Sequence, residues 1–140
     1  MDYTFLIKEA EKAMSLSYSP YSSFKVGAAL LTEKGKIYLG CNIENASFSP
    51  TVCAERTAFF KAVSEGEKEF EAIAVVGGKD GKSTALCPPC GVCRQVMSEF
   101  CGRDFKIILS GNDGIKQFTL AELLPLGFGP ADVLGGNVHF

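Results

Sequence analysis

Apolar residues recur at helical spacing from the start of the chain. Leu6, Ala10, Ala13 and Met14 share one face, which predicts an amphipathic helix over residues 3–16. The next stretch, SYSPYSS from Ser17 to Ser23, is polar and broken by proline, so it reads as a loop. FKVGAALLT then reads as a strand, EKGK as a tight turn and IYLGCNIE as the partner strand of a hairpin. Ser49-Pro50-Thr51 is a helix-start signal, since proline suits a first turn where no N–H is needed. The helix it predicts runs to about Ser64 and is ended by Gly66. EAIAVVGG is short and almost wholly apolar, without alternation, as expected of a strand covered on both faces. A glycine- and proline-rich loop, GGKDGKSTALCPP, leads to CGVCRQVMSEFC, which opens another helix. FKIILSG is a further buried strand, and Thr119 to Glu122 fits a capping box for a short last helix ended by Pro125. The order α-β-β-α-β-α-β predicts a sheet with helices on both faces.

Composition narrows the classes. At 140 residues, with no internal repeat, the chain reads as one domain over residues 1–140, long enough to bury a core without disulfide staples. Apolar residues at 46% and charged residues at 21% are ordinary for a globular protein. The net charge of −2, with no run of Lys or Arg, argues against a nucleic-acid partner. Asp2, Glu9 and Glu11 in the N-terminal stretch MDYTFLIKEAEKAM argue against a signal peptide. No apolar stretch approaches the roughly 20 residues of a membrane span, so no membrane partner is expected. The expected location is the cytoplasm, where structural disulfides are rare, and six cysteines then point to metal or catalysis.

The chemistry-bearing residues cluster at two predicted helix starts. Cys90 and Cys93, three apart behind Pro88-Pro89, face the same way, and a helix N-terminus favours their thiolates. Cys53 would supply a third thiolate to a zinc ion, leaving the fourth position for water, which is the catalytic arrangement. Inside a helix, Cys53 and Glu55 would point about 200° apart. They can share a site only if Cys53 sits at the very first turn. The single histidine, His139, lies one residue from the C-terminus, so the ligand set reads as all thiolate. Three thiolates leave a net charge near −1 around Zn²⁺, and Arg56 and Arg94, which directly follow the two motifs, are assigned to charge compensation.

Cys-Ala-Glu followed by Pro-Cys-x-x-Cys is the signature of the zinc-dependent nucleobase deaminases. The longer strings FKVGAALL, CNIENASFSPTVCAERTA and PCGVCRQV, with ELLPLGF near the end, resemble the small homotetrameric cytidine deaminases over residues 5–128. The resemblance implies a three-layer α/β/α sandwich with a mixed sheet of about five strands. It implies one zinc per subunit on Cys53, Cys90 and Cys93, and Glu55 as the proton shuttle between water, the ring nitrogen N3 and the departing amine. It further implies nucleoside contacts from Phe24, Asn42, Glu44 and Ala54, with Phe128 contributed by a neighbouring subunit of a homotetramer. The implied reaction converts cytidine or 2′-deoxycytidine to uridine or deoxyuridine plus ammonia, in pyrimidine salvage.

Three features depart from the pattern: Phe48 where tyrosine is common, the tail PADVLGGNVHF, and the additional Cys87. Plainer readings stand beside the sharp ones. Cys41 and Cys101 read as core residues. Cys87 could join an iron–sulfur run or a thiol-redox pair, but Met97 stands where a ferredoxin pattern wants cysteine, and no strand directly precedes Cys87. His139 reads as a tail residue. The alternatives to a cytidine deaminase are a deaminase of another aminopyrimidine such as blasticidin S, and a non-catalytic zinc module closed by Cys87 or Cys41.

Overall fold

The computed structural model describes residues 2–135. Helix α1 (Thr4–Met14) is followed by strands β1 (Phe24–Thr32) and β2 (Ile37–Cys41), then α2 (Ala54–Ser64) and β3 (Phe70–Lys79). Helix α3 (Gly91–Phe100), strands β4 (Lys106–Gly111) and β5 (Gly114–Thr119), and the short helices α4 (Leu120–Leu123) and α5 (Pro130–Leu134) complete it. The five strands form one sheet in the order β2-β1-β3-β4-β5. Only β3 and β4 run parallel, with α3 as their crossover; every other pair is antiparallel.

The apolar runs are explained by the two faces they serve. Along β1, Ala28 and Leu30 face α2 and α3, while Ala29 and Leu31 face α1. Along β3, Ile73 and Val75 take the first side and Ala72, Ala74 and Val76 the second. Side chains alternate across a strand, so a strand covered on both faces must be apolar throughout. α1 buries Leu6, Ile7, Ala10 and Ala13 on its side, and α2 buries Ala54, Ala58, Phe59 and Ala62 on the other. The result is the expected three-layer sandwich.

Small residues set the spacing of the layers. A Cβ at Gly40 in β2 would lie 2.3 Å from the Ala54 carbonyl oxygen and 2.6 Å from the Ala58 amide nitrogen, so α2 packs directly on the backbone there. Gly27 plays the same part for α1, where a Cβ would meet the Ala10 carbonyl at 2.0 Å. The register then collects the site. Phe24 pairs with Lys79 and Gly27 with Cys41, so the start of β1 and the ends of β2 and β3 share one edge of the sheet. The chain enters α2 from β2 and α3 from β3 at that edge.

Several boundaries differ from the sequence reading. α2 starts at Ala54, four residues after Pro50, because Val52 pairs with Ile43 and holds the chain extended up to Cys53. The second hairpin strand ends at Cys41, and Ile43 makes only isolated bridges, to Tyr18 and Val52. β5 was not expected: Gly114–Thr119 is largely exposed and lacks an apolar run, and it pairs with β4 through a two-residue turn closed by Gly111 and Gly114. The capping box at Thr119 and Glu122 is present. In the tail, Pro130 opens the unexpected α5; His139 lies outside the described residues.

Candidate active site

Both cysteine motifs sit where backbone N–H groups are unpaired. Cys53 is the residue before α2, in an extended conformation, and Cys90 is the residue before α3. The Cys90 sulfur accepts a hydrogen bond from the Cys93 amide at 3.5 Å, acting as the helix cap. Because Cys53 precedes the helix, it escapes the helical spacing that would turn it away from Glu55. Thr57, one turn into α2, donates its hydroxyl to the carbonyls of Cys41 (3.1 Å) and Cys53 (3.3 Å), tying the helix start to the end of β2. This residue was missed in the sequence; its signal is a threonine four positions after the cysteine that precedes the helix, placed to bond back to that carbonyl.

The three sulfurs converge. Cys53 and Cys90 Sγ are 3.7 Å apart and Cys90 and Cys93 Sγ 3.5 Å apart. Sulfurs about 2.3 Å from a tetrahedral zinc stand about 3.8 Å from one another, so the cluster is already at ligand spacing. Among the described residues, no fourth His, Cys, Asp or Glu joins it. Cys87 and Cys41 therefore do not close the shell. Cys87 is part-buried, and desolvation pushes its thiol up to about 11, with the charges of Glu55 and Cys53 adding to the shift. Cys101 is buried as expected, whereas Cys41 is only half-buried at the strand end, with its thiol donating to the Leu16 carbonyl.

Glu55 lies in the first turn of α2 and is 4% exposed. Desolvation pushes its carboxyl up to about 7, the Cys53 thiolate adds to the shift, and hydrogen bonding from its own amide and from Cys93 opposes it. The Cys53 thiol is pulled below its ordinary range, first by the hydrogen bond from Cys93 and then by Arg56, against the opposing effect of burial. Arg56 donates from Nη2 to Cys53 Sγ at 3.5 Å, and its buried Nε has no partner among the described residues. Arg94 is engaged differently. Its Nε donates to the Pro89 carbonyl (2.8 Å) and its Nη1 to the Leu123 carbonyl (2.7 Å), bracing the segment that carries Cys90.

The expected substrate contacts border the same edge. Ala54 is fully buried as the first residue of α2, next to Cys53. Phe24 opens β1, with its side chain partly exposed. The Asn42 amide is locked in place: Oδ1 accepts from the Val26 amide (2.9 Å) and the Ser17 hydroxyl, and Nδ2 donates to the Phe24 carbonyl (2.8 Å). Glu44 accepts from the amides of Tyr21 (3.0 Å) and Ser22 (3.2 Å) and from the Ser22 hydroxyl. With Tyr21, Ser22, Phe48 and Thr51 it lines a cavity of about 430 Å³. Phe48 is 70% exposed, has φ +64°, and packs edge-on against Tyr21 at 6.3 Å between ring centroids. Phe128 is apart from these. Its carbonyl accepts from Gln95 (2.7 Å) and Ser98 (3.0 Å) on α3, while the residue is 59% exposed.

Three converging thiols at helix starts, with no fourth protein ligand among the described residues and a buried carboxyl beside them, fit a zinc enzyme rather than a structural zinc module. The family described as "Cytidine and deoxycytidylate deaminase zinc-binding region" matches residues 2–109. The chain is 52% identical over 134 residues to the cytidine deaminase of Sporosarcina psychrophila, covering 95% of this chain and 96% of the relative. It is equally similar, at 52% over 134 residues, to that of Halalkalibacterium halodurans, covering 95% and 98%. The crystal structure of the Burkholderia pseudomallei cytidine deaminase superposes with a TM-score of 0.84 at 44% identity, covering 91% of this chain and all of that one. The Mycobacterium tuberculosis enzyme follows at TM-score 0.77 and 36% identity, covering 92% and 98%. The chain belongs to the cytidine and deoxycytidylate deaminase family.

Proposed function

We propose that this protein hydrolyses cytidine and 2′-deoxycytidine to uridine and deoxyuridine, releasing ammonia, and so serves pyrimidine salvage. The observation that carries the reading is the buried Glu55 beside a three-thiol cluster with no fourth protein ligand among the described residues. Cys53, Cys90 and Cys93 would hold a zinc ion, which when bound would supply the Lewis acidity that makes water nucleophilic at neutral pH. Glu55 accepts the proton released as water adds to C4 of the cytosine ring and passes it to N3. It then takes the proton of the hydroxyl now on C4 and delivers it to the exocyclic amine, which leaves as ammonia as the C4–N4 bond breaks and the C4 carbonyl forms. Burial suits this shuttle, because a carboxyl with poor hydration can take up and release protons with little reorganisation. Arg56, in contact with Cys53, offsets thiolate charge that would otherwise weaken the metal's pull on water.

Recognition of the nucleoside falls to the neighbouring edge. Asn42 and Glu44 hydrogen-bond the ribose hydroxyls, Phe24 lies along the base, and the Ala54 backbone contacts the ring. Phe128 completes the pocket of an adjacent subunit in a homotetramer, a role supported by its 59% exposure on an anchored segment. No helix among the described residues is long and apolar enough to cross a membrane.

The test is the ultraviolet absorbance change on converting cytidine to uridine, followed with zinc-loaded, chelator-stripped and zinc-restored protein. Turnover that disappears on stripping and returns with zinc is expected. Equal turnover in stripped protein, or none in loaded protein, overturns the assignment.

A further inference from the structure

We infer that Ser22 is a positioning residue that sets sugar recognition by fixing the Glu44 carboxylate against the backbone at the start of β1. The inference rests on the reading that Glu44 hydrogen-bonds the ribose.

Ser22 stands in the polar loop before β1, a segment whose sequence gives no catalytic signal. Its hydroxyl donates to Glu44 Oε2 and accepts from the Phe24 amide at 2.9 Å, while its own amide donates to Glu44 Oε1 at 3.2 Å. One side chain therefore links the carboxylate to the backbone of the aromatic at the start of β1. Hydrogen bonds to both carboxylate oxygens fix the plane of the Glu44 head group, so its remaining lone pairs keep one direction. The Ser22 hydroxyl is also the largest cause holding the Glu44 carboxyl below its usual range, with the Ser22 and Tyr21 amides adding to it. An ionised carboxylate is acceptor-only, which suits recognition of a sugar hydroxyl.

The backbone is arranged to make this link. Ser23 adopts φ +60°, a left-handed conformation that a non-glycine residue takes at a cost. It is held there by the Ser23 amide donating to the Ser19 carbonyl (3.0 Å) and by the Asp80 amide donating to the Ser23 carbonyl (2.6 Å). That turn brings the Ser22 hydroxyl back onto the Phe24 amide.

The experiment compares cytidine with 2′,3′-dideoxycytidine, which lacks the 2′- and 3′-hydroxyls, in wild type, Ser22→Ala, Ser22→Thr and Glu44→Gln. For Ser22→Ala we expect KM for cytidine to rise about tenfold, the size of a lost hydrogen bond to a charged group, with kcat nearly unchanged. Dideoxycytidine should be affected little, so the preference for cytidine falls by the same factor. Ser22→Thr keeps the hydroxyl and should recover most of the loss. A purely structural role would instead lower melting temperature and depress both substrates alike, which overturns the inference. Loss of sugar preference in Glu44→Gln but not in Ser22→Ala likewise refutes the role of Ser22. A preference that survives Glu44→Gln refutes the underlying ribose assignment.

Discussion

At the residue scale, the site is a problem of charge. Three thiolates exceed the charge of a divalent ion, and the Arg56 guanidinium beside Cys53 is the cation placed to offset them. Replacing it by glutamine should weaken zinc affinity about 10–100-fold, the usual consequence of losing a partner to a metal ligand. Competition with a chromogenic chelator measures this, and an unchanged affinity would remove Arg56 from the metal's surroundings. Arg94→Gln should behave differently, because that side chain spends its donors on the Pro89 and Leu123 carbonyls. It should lower stability more than zinc affinity. The sequence could not separate the two arginines. Each directly follows its motif, and only the packing of α3 against α4 shows which carbonyls come within reach of Arg94. The thiols and Glu55 were legible because their residue types and spacing have few other uses together. Ser22 and Thr57 were not, because hydroxyl residues in loops and first turns are commonplace.

At the element scale, the catalytic geometry depends on α2 lying hard against β2. Gly40 allows that approach, and an added Cβ would meet backbone atoms of α2 rather than a movable side chain. Gly40→Ala should cost about 3 kcal/mol or more, read from the urea midpoint, and should lower zinc retention as α2 is displaced. Gly91, the first residue of α3, has open space around its Cβ position. Gly91→Ala should be neutral or stabilising by up to about 1 kcal/mol through the unfolded chain. Equal losses at both positions would contradict the close-approach argument. The late start of α2 has the same origin in tertiary pairing. Pro50 signals a helix start in the sequence, but the Ile43–Val52 bridge keeps the chain extended until Cys53 and moves the start to Ala54. The same bridge lets a cysteine and a glutamate two apart serve one site. β5 was hidden for a different reason: an exposed edge strand has no buried face to impress a pattern on its sequence.

At the scale of the whole molecule, two helix N-termini meet at one sheet edge because both α2 and α3 are entered from strand ends that the register places together. The ligand chemistry of three cysteines at two helix starts suggested that convergence and the family resemblance supported it, but no local pattern states which strands are neighbours. The assembly of subunits adds a further test. If Phe128 completes a neighbour's pocket, subunits carrying Glu55→Ala mixed with subunits carrying Phe128→Ala should recover activity above the sum of the two parents. Recovery arises where an intact Glu55 faces an intact Phe128 from the adjoining chain. Mixed oligomers, verified by mass, that show no recovery would mean each subunit builds its pocket alone.

The most direct measurement of the central claim is the kcat for cytidine of Glu55→Gln, with zinc content determined on the same sample. This substitution keeps the shape and removes the proton-carrying group. The account predicts one zinc per chain, retained cytidine binding and a fall in kcat of at least about 10³-fold, within the range of general acid–base catalysis. Zinc-loaded Glu55→Gln turning over within tenfold of wild type would contradict it.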